Sequence, residues 1–265
     1  ANGQKKADVV PVIHMCIFAR LSCAFCEFIE SLKHFRIPVE LSPSEEIPMP
    51  SLFDSVHMGG LALKNRIIMA PLTRGRAGRE GVPGALMADY YQQRASAGLI
   101  VAEATAVSAG GRGWLNSPGL YNDAQEAGWR SVAKAVHDKD GKIFVQLWHM
   151  GAAVHPDFLA GEAAVSSSPV KLNGQLTTPL GRDRGFEQAR ALSELEIAEH
   201  VQMFADAAKR AISAGLDGVE IHAANGFLID QFTRDSVNQR DDNYGGSIDN
   251  LYVGGIVLAR DIGFH

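Results

Sequence analysis

The sequence predicts a parallel α/β fold, a (β/α)8 TIM barrel, of which about four βα units can be counted in the chain. Three observations carry this. From Ser51 onward short apolar runs alternate with longer segments of helical period, the alternation of a parallel sheet. The first run ends in Pro71-Leu72-Thr73-Arg74, not in G-x-G-x-x-G, which counts against a dinucleotide-binding doubly wound sheet. Polar residues able to do chemistry stand where the runs end, and parallel α/β proteins place their sites at the carboxyl ends of strands. On pattern alone a doubly wound sheet also fits, and the barrel is favoured.

The elements follow in order. Leu52-Phe53 and Leu61-Ala62-Leu63 flank Gly59-Gly60 and predict a hairpin. Arg66 to Leu72 reads as the first buried strand, and Gly84 to Ala97 as a helix stopped by Gly98. Leu99 to Ala104 is the second strand, Asp123 to Asp138 a long helix before Gly141, and Lys142 to Leu147 the third strand. Trp148 to Ala191 is irregular and rich in Gly, Ser and Pro, and loops of that length usually carry function or are disordered. Ser193-Glu194-Leu195-Glu196 is a capping box. Ile197, Val201, Phe204, Ala208 and Ile212 then recur on one helical face until Gly215. Leu216 to Ile221 is the fourth strand.

Residues 1–48 lack this order and end in the acidic, proline-rich run Pro43 to Pro50, a linker signal. They are expected to be an N-terminal extension outside the barrel, with a short helix over Arg20 to Phe35. Residues 49–250 are expected to form the barrel part of the chain, and 251–265 a tail. All three cysteines, Cys16, Cys23 and Cys26, lie in the extension. C-x-x-C at Cys23 to Cys26 lacks a second ligand pair, so no metal site is expected. A chain otherwise free of cysteine suits a reducing, cytoplasmic compartment.

A net charge of −5 argues against a nucleic-acid partner. No apolar run reaches the roughly 18 residues that span a bilayer, so no membrane partner is expected.

The chemistry concentrates at Gly218-Val219-Glu220-Ile221-His222-Ala223-Ala224-Asn225-Gly226-Phe227-Leu228. His222 and Asn225 stand three residues apart where the fourth strand breaks. Two neutral donors so placed can hold one substrate oxygen, as an oxyanion site does. Taken alone, His222 is more readily a satisfied core histidine and Asn225 a turn former. Thr73 and Gln146, each at a strand end, are alone better explained by hydrogen bonds to backbone.

Five motifs together resemble the old yellow enzyme family of FMN-dependent ene-reductases. They are Asn65 to Arg74 (NRIIMAPLTR), Ala102-Glu103-Ala104-Thr105, Gln146-Leu147-Trp148-His149, His222-Ala223-Ala224-Asn225-Gly226, and Tyr244-Gly245-Gly246-Ser247-Ile248. The resemblance runs from about residue 49 to 250 and is to the N-terminal half of such proteins, 12-oxophytodienoate reductases among them. It implies FMN across the top of the barrel, with NADPH or NADH as reductant. It implies that Thr73 donates to flavin O4, that Pro71 and Leu72 pack under the ring, and that Ala104 lets backbone approach the pyrimidine edge. Gln146 would match O2 and N3, with Trp148 as pocket wall or core. His222, bordering the flavin, and Asn225 would grip the activating oxygen of an α,β-unsaturated carbonyl or nitro compound. The substrate is then a small electron-poor alkene.

Two departures qualify this. The family places Tyr two residues beyond Asn225 as proton donor, where this chain has Phe227. After Asn250 the family's basic helix is missing, and the FMN phosphate site belongs to its other half. The expected enzyme is therefore an impaired, truncated ene-reductase. The alternatives are a catalytically silent chain with weak or no flavin binding, and a phosphate-binding barrel lyase or isomerase, which the lack of a strand-end lysine disfavours.

Overall fold

The computed structural model describes residues 17–19, 50–247 and 250. The segments Arg20 to Phe35 and 251–265, and the C-x-x-C, lie outside them. In chain order the strands are β1 (Ile17–Ala19), β2 (Val56–Met58), β3 (Leu61–Leu63), β4 (Ile68–Met69), β5 (Leu99–Ala106), β6 (Ile143–Trp148), β7 (Val165–Ser166), β8 (Gln175–Thr177), β9 (Asp183–Gly185), β10 (Arg190–Ala191) and β11 (Gly218–Ile221). The α-helices are α1 (Ala85–Gln92), α2 (Asp123–His137), α3 (Glu194–Ser213) and α4 (Leu228–Thr233).

The main sheet has the order β1-β11-β6-β5-β4. Strands β4, β5, β6 and β11 are all parallel, in sequence order, with a helix in each of the three crossovers from β4 to β11. This is the α/β alternation expected of the pattern. Residues 1–48 were expected to stand apart, but Ile17–Ala19 pairs antiparallel with Val219–Ile221 along the edge of β11.

Each element has a local cause. The hairpin forms as β2–β3, and Gly59 supplies the positive φ of 56° at its turn. Its first arm starts at Val56 rather than Leu52, and Leu52 and Phe53 remain exposed. Strand β4 is only two residues long, against seven expected. Beyond Met69 the chain leaves the ladder, because Pro71 has no N–H to give it. Helix α1 stops at Gln92, short of Ala97, and the residues to Gly98 continue as turns. A Cβ at Gly98 would collide with the Asn65 carbonyl, so only glycine lets β5 start beside β4.

Helix α2 is capped by the Asn122 side chain, which accepts from the Gln125 amide at 2.9 Å. Helix α3 begins with the expected capping box: Ser193 Oγ accepts from Glu196 N–H, and Glu196 accepts from Ser193 N–H at 2.9 Å. Its buried face carries Ile197, Val201, Phe204 and Ala208, as predicted, while Ile212 is 40% exposed.

The main core lies between β5, β6, β11 and the helices, around Tyr91, Trp129, Phe204 and Phe232. A second cluster, with Ala104, Trp148, Met150 and Val154, lies at the carboxyl end of the sheet. It forms because the irregular stretch after Trp148 folds back over the strand ends. That stretch contains two 3-10 turns and the small pairs β7–β10 and β8–β9.

Candidate functional site

The carboxyl ends of the parallel strands gather the residues singled out in the sequence. Register sets their level. Ala104 on β5 is the partner of Gln146 on β6, and Gln146 is the partner of Glu220 on β11. The three therefore form one row across the sheet. The Gln146 amide donates to Glu220 Oε1 at 2.6 Å, and both side chains are buried. One amide hydrogen of Gln146 is thus committed, leaving its second N–H and its carbonyl oxygen for another group. Glu220 was not foreseen as a partner, although a carboxylate inside the apolar run Val219-Glu220-Ile221 was the available signal.

Strand β11 ends as the His222 amide donates to the Leu147 carbonyl at 2.9 Å. The chain then turns through Asn225 (φ 61°) and Gly226 (φ 77°). Asparagine tolerates this left-handed region better than most residues. Helix α4 holds the turn from below: the Gly226 amide donates to Asp230 Oδ2 at 2.5 Å, and Gln231 Nε2 donates to the Gly226 carbonyl at 2.7 Å. Gln231 also accepts from the Ala152 amide and the Ser166 hydroxyl, so one buried amide ties this turn to the irregular stretch. Sequence reading missed Gln231, because its partners lie up to 81 residues away.

His222 is half-buried and Asn225 exposed, and Asn225 Nδ2 lies 3.4 Å from His222 Nε2. His222 Nδ1 stands 3.4 Å from the Ala224 amide. In the tautomer where Nδ1 accepts that N–H, the proton sits on Nε2, beside the Asn225 amide. Two such donors can share a single oxygen at ordinary hydrogen-bond lengths.

Phe227 occupies the position after this pair. Its ring meets Trp148 edge-on at 5.2 Å and His222 edge-on at 5.0 Å. Trp148 is itself buried, so it contributes wall through Phe227. On the other side, Pro71, Leu72 and Thr73 follow β4. Pro71 and Thr73 are half-buried, and Leu72 is 58% exposed, an apolar side chain facing out at a strand end.

Directly after β6, His149 is buried, its Nδ1 accepts from the Gly151 amide at 3.1 Å, and its Nε2 has no partner. Burial, reinforced by the His200 ring at 5.0 Å, pushes its pKa down to about 3. It is a neutral imidazole and was not foreseen as more than part of a motif. Among the described residues no cluster of His, Cys, Asp and Glu could hold a metal ion, and no helix is long and apolar enough to cross a membrane.

Residues 51–253 match the family described as NADH:flavin oxidoreductase / NADH oxidase. The chanoclavine-I aldehyde reductase of Penicillium roqueforti is 48% identical over 205 residues, which are 76% of this chain and 53% of that one. Among solved structures, the old yellow enzyme homologue of Zymomonas mobilis superposes with a TM-score of 0.76 at 48% identity, over 80% of this chain and 58% of that one. Morphinone reductase in complex with tetrahydroNAD gives 0.77 at 43% identity, over 81% and 60%. The chain thus spans about half the length of the curated relatives it matches.

Proposed function

The chain belongs to the NADH:flavin oxidoreductase / NADH oxidase family, and from that premise we propose that its described residues form the ring-binding and oxygen-binding face of an FMN-dependent ene-reductase. Old yellow enzyme proteins use FMN with NAD(P)H. In this reading residues 49–250 are the first four βα units of a (β/α)8 barrel, with 1–48 an extension and 251–265 a tail. The substrate is a small alkene activated by a carbonyl or nitro group, and the reductant NADPH or NADH.

The observation that carries the reading is the His222–Asn225 pair, with its nitrogens 3.4 Å apart, at the same sheet end as Thr73, Ala104 and Gln146. The donor set fits a flavin edge. Gln146 offers an N–H and a carbonyl side by side, and its neighbour in register, Ala104, has a side chain too small to block close approach. Thr73 would hold the flavin edge with its hydroxyl, and Pro71 and Leu72 would give the ring an apolar bed. FMN, when bound, supplies the hydride chemistry, while the protein supplies position and field.

His222 and Asn225 hold the activating oxygen and stabilise the negative charge that builds on it. Removing one such donor typically costs about 10²–10³ in rate. Phe227 has no labile proton. The proton that completes reduction at Cα therefore comes from water or from another group. That residue also favours a second reading, a catalytically silent chain.

The test is binding of a phenol, whose oxyanion mimics the activated oxygen, to FMN-loaded protein. His222→Ala or Asn225→Ala should weaken phenol binding about tenfold or more, the worth of one hydrogen bond to a charged group. Bound FMN should fall less. Equal phenol affinity in both variants and the parent chain would refute the assignment.

A further inference from the structure

Strand β5 carries an irregularity that the proposed chemistry does not use. Ala102 pairs with Val145 and Ala104 with Gln146, so Glu103 is the extra residue of a β-bulge. A bulge bends its strand and re-aims a side chain, and bulges concentrate next to active sites. Without it, Ala104 would slip one place against β6 and face the other side of the sheet.

The re-aimed side chain is a carboxylate buried to 0% exposure. Its Oε2 accepts from the Arg74 amide at 2.9 Å and the Gly75 amide at 3.1 Å. Its Oε1 accepts from the Tyr91 hydroxyl at 3.0 Å, and that hydroxyl accepts the Glu103 amide at 2.9 Å. The amide left out of the ladder is thereby satisfied from helix α1. Burial pushes the Glu103 carboxyl up, and the two backbone amides and Tyr91 pull it back. A buried carboxylate on main-chain amides is a costly way to shape an ordinary turn, since the same amides could face water. What these two amides belong to is the segment that begins immediately after Thr73.

We propose that Glu103 is a positioning residue for the flavin edge: its carboxylate fixes the Thr73 segment from one side while the bulge that re-aims it keeps Ala104 level with Gln146. The proposal rests on the flavin-site reading above. Neither half works alone, because Thr73 lies on a loop with no ladder to hold it and Ala104 is positioned only by register. Glu103 touches neither substrate nor cofactor in this role, and Tyr91 is its support.

The test titrates the full chain with FMN, following quenching of flavin fluorescence and the position of the visible flavin band, which reports hydrogen bonding at the ring edge. Glu103→Ala should weaken FMN binding about tenfold, the equivalent of roughly one hydrogen bond, and shift the band. Glu103→Gln, whose carbonyl still accepts two backbone N–H groups, should restore both. If Glu103→Ala does not fold, Glu103→Asp is read instead, with the carboxylate drawn back by one methylene and the same direction of change. Val136→Ala serves as the stability control: Val136 is fully buried in α2, beside Gly141 at the opposite end of the sheet. It should lower the unfolding midpoint without moving FMN affinity or the band. Parent-like affinity and band in both the Ala and Asp variants, or an equal loss of affinity in Val136→Ala, would overturn the positioning role alone. Failure of the parent chain to bind FMN would overturn the flavin-site reading and this role with it.

Discussion

Acid should destabilise this fold through His149, with the half-buried His200 beside it, also pushed below its ordinary value by burial, adding in the same direction. His149 is buried, with Nδ1 accepting from Gly151 and Nε2 without a partner. Gly111 packs so closely that a Cβ there would collide with the imidazole ring. A proton on this ring would sit unsolvated and 5.0 Å from the His200 ring, and the pKa is accordingly about 3. In the unfolded chain it returns to about 6.5. The folded value is the depressed one, so the unfolded state binds the extra proton between these values and stability falls as pH falls. From about pH 8 to about pH 5 the loss is RT ln(1 + 10^1.5), about 2 kcal/mol. Below this window the carboxylates lowered in the folded state, Asp217 and Glu196 among them, begin to contribute in the same direction. The assay is urea unfolding at both pH values for the parent chain and His149→Asn, whose amide oxygen can still accept the Gly151 N–H. The variant should lose about 2 kcal/mol less than the parent on acidification. Identical losses would show that His149 is hydrated or paired in solution and that the reasoning from burial is wrong.

Other outcomes follow from the same contacts. Ser193→Ala should cost about 1 kcal/mol in urea unfolding through loss of the cap on α3; no change would mean that Glu196 and Arg190 alone hold that terminus. Gln231→Leu strands partners at Ala152, Ser166, Met150 and Gly226, and should cost at least about 4 kcal/mol at roughly 1–3 kcal/mol per orphaned group. A loss below about 1 kcal/mol would mean that water enters and satisfies them. Deleting residues 1–48 bares the β11 edge now paired with Ile17–Ala19, so light scattering should show increased self-association. Unchanged scattering would show that this pairing protects nothing.

The parts legible in the sequence were those whose causes are local. The capping box at Ser193, the apolar stripe of α3 and the glycine turn of the hairpin each act within a few residues, and each appears where expected. The His222–Asn225 pair was legible for the same reason, since three residues of turn bring the side chains together. Strand lengths were not. Pro71 and the departure of the chain beyond Met69 cut β4 to two residues, and an apolar run does not reveal where a ladder ends. The bulge at Glu103 was invisible because it is a relation between two strands, and the clamps at Glu103 and Gln231 close over 28 to 81 residues of chain. The edge pairing of Ile17–Ala19 has no periodic signature, being three residues in a stretch that otherwise lacks pattern.

In the proposed function the flavin ring would lie against the end of the sheet where Ala104 pairs with Gln146, beside the loop that carries Thr73 beyond β4. The most direct measurement is titration of the purified chain with FMN, read by fluorescence quenching, beside Gln146→Leu and Thr73→Val. Saturable quenching at one site per chain is expected, weakened in both variants because each would remove one of the proposed hydrogen bonds to the ring. Absence of saturable quenching in the parent chain, or equal affinity in all three proteins, would contradict the account.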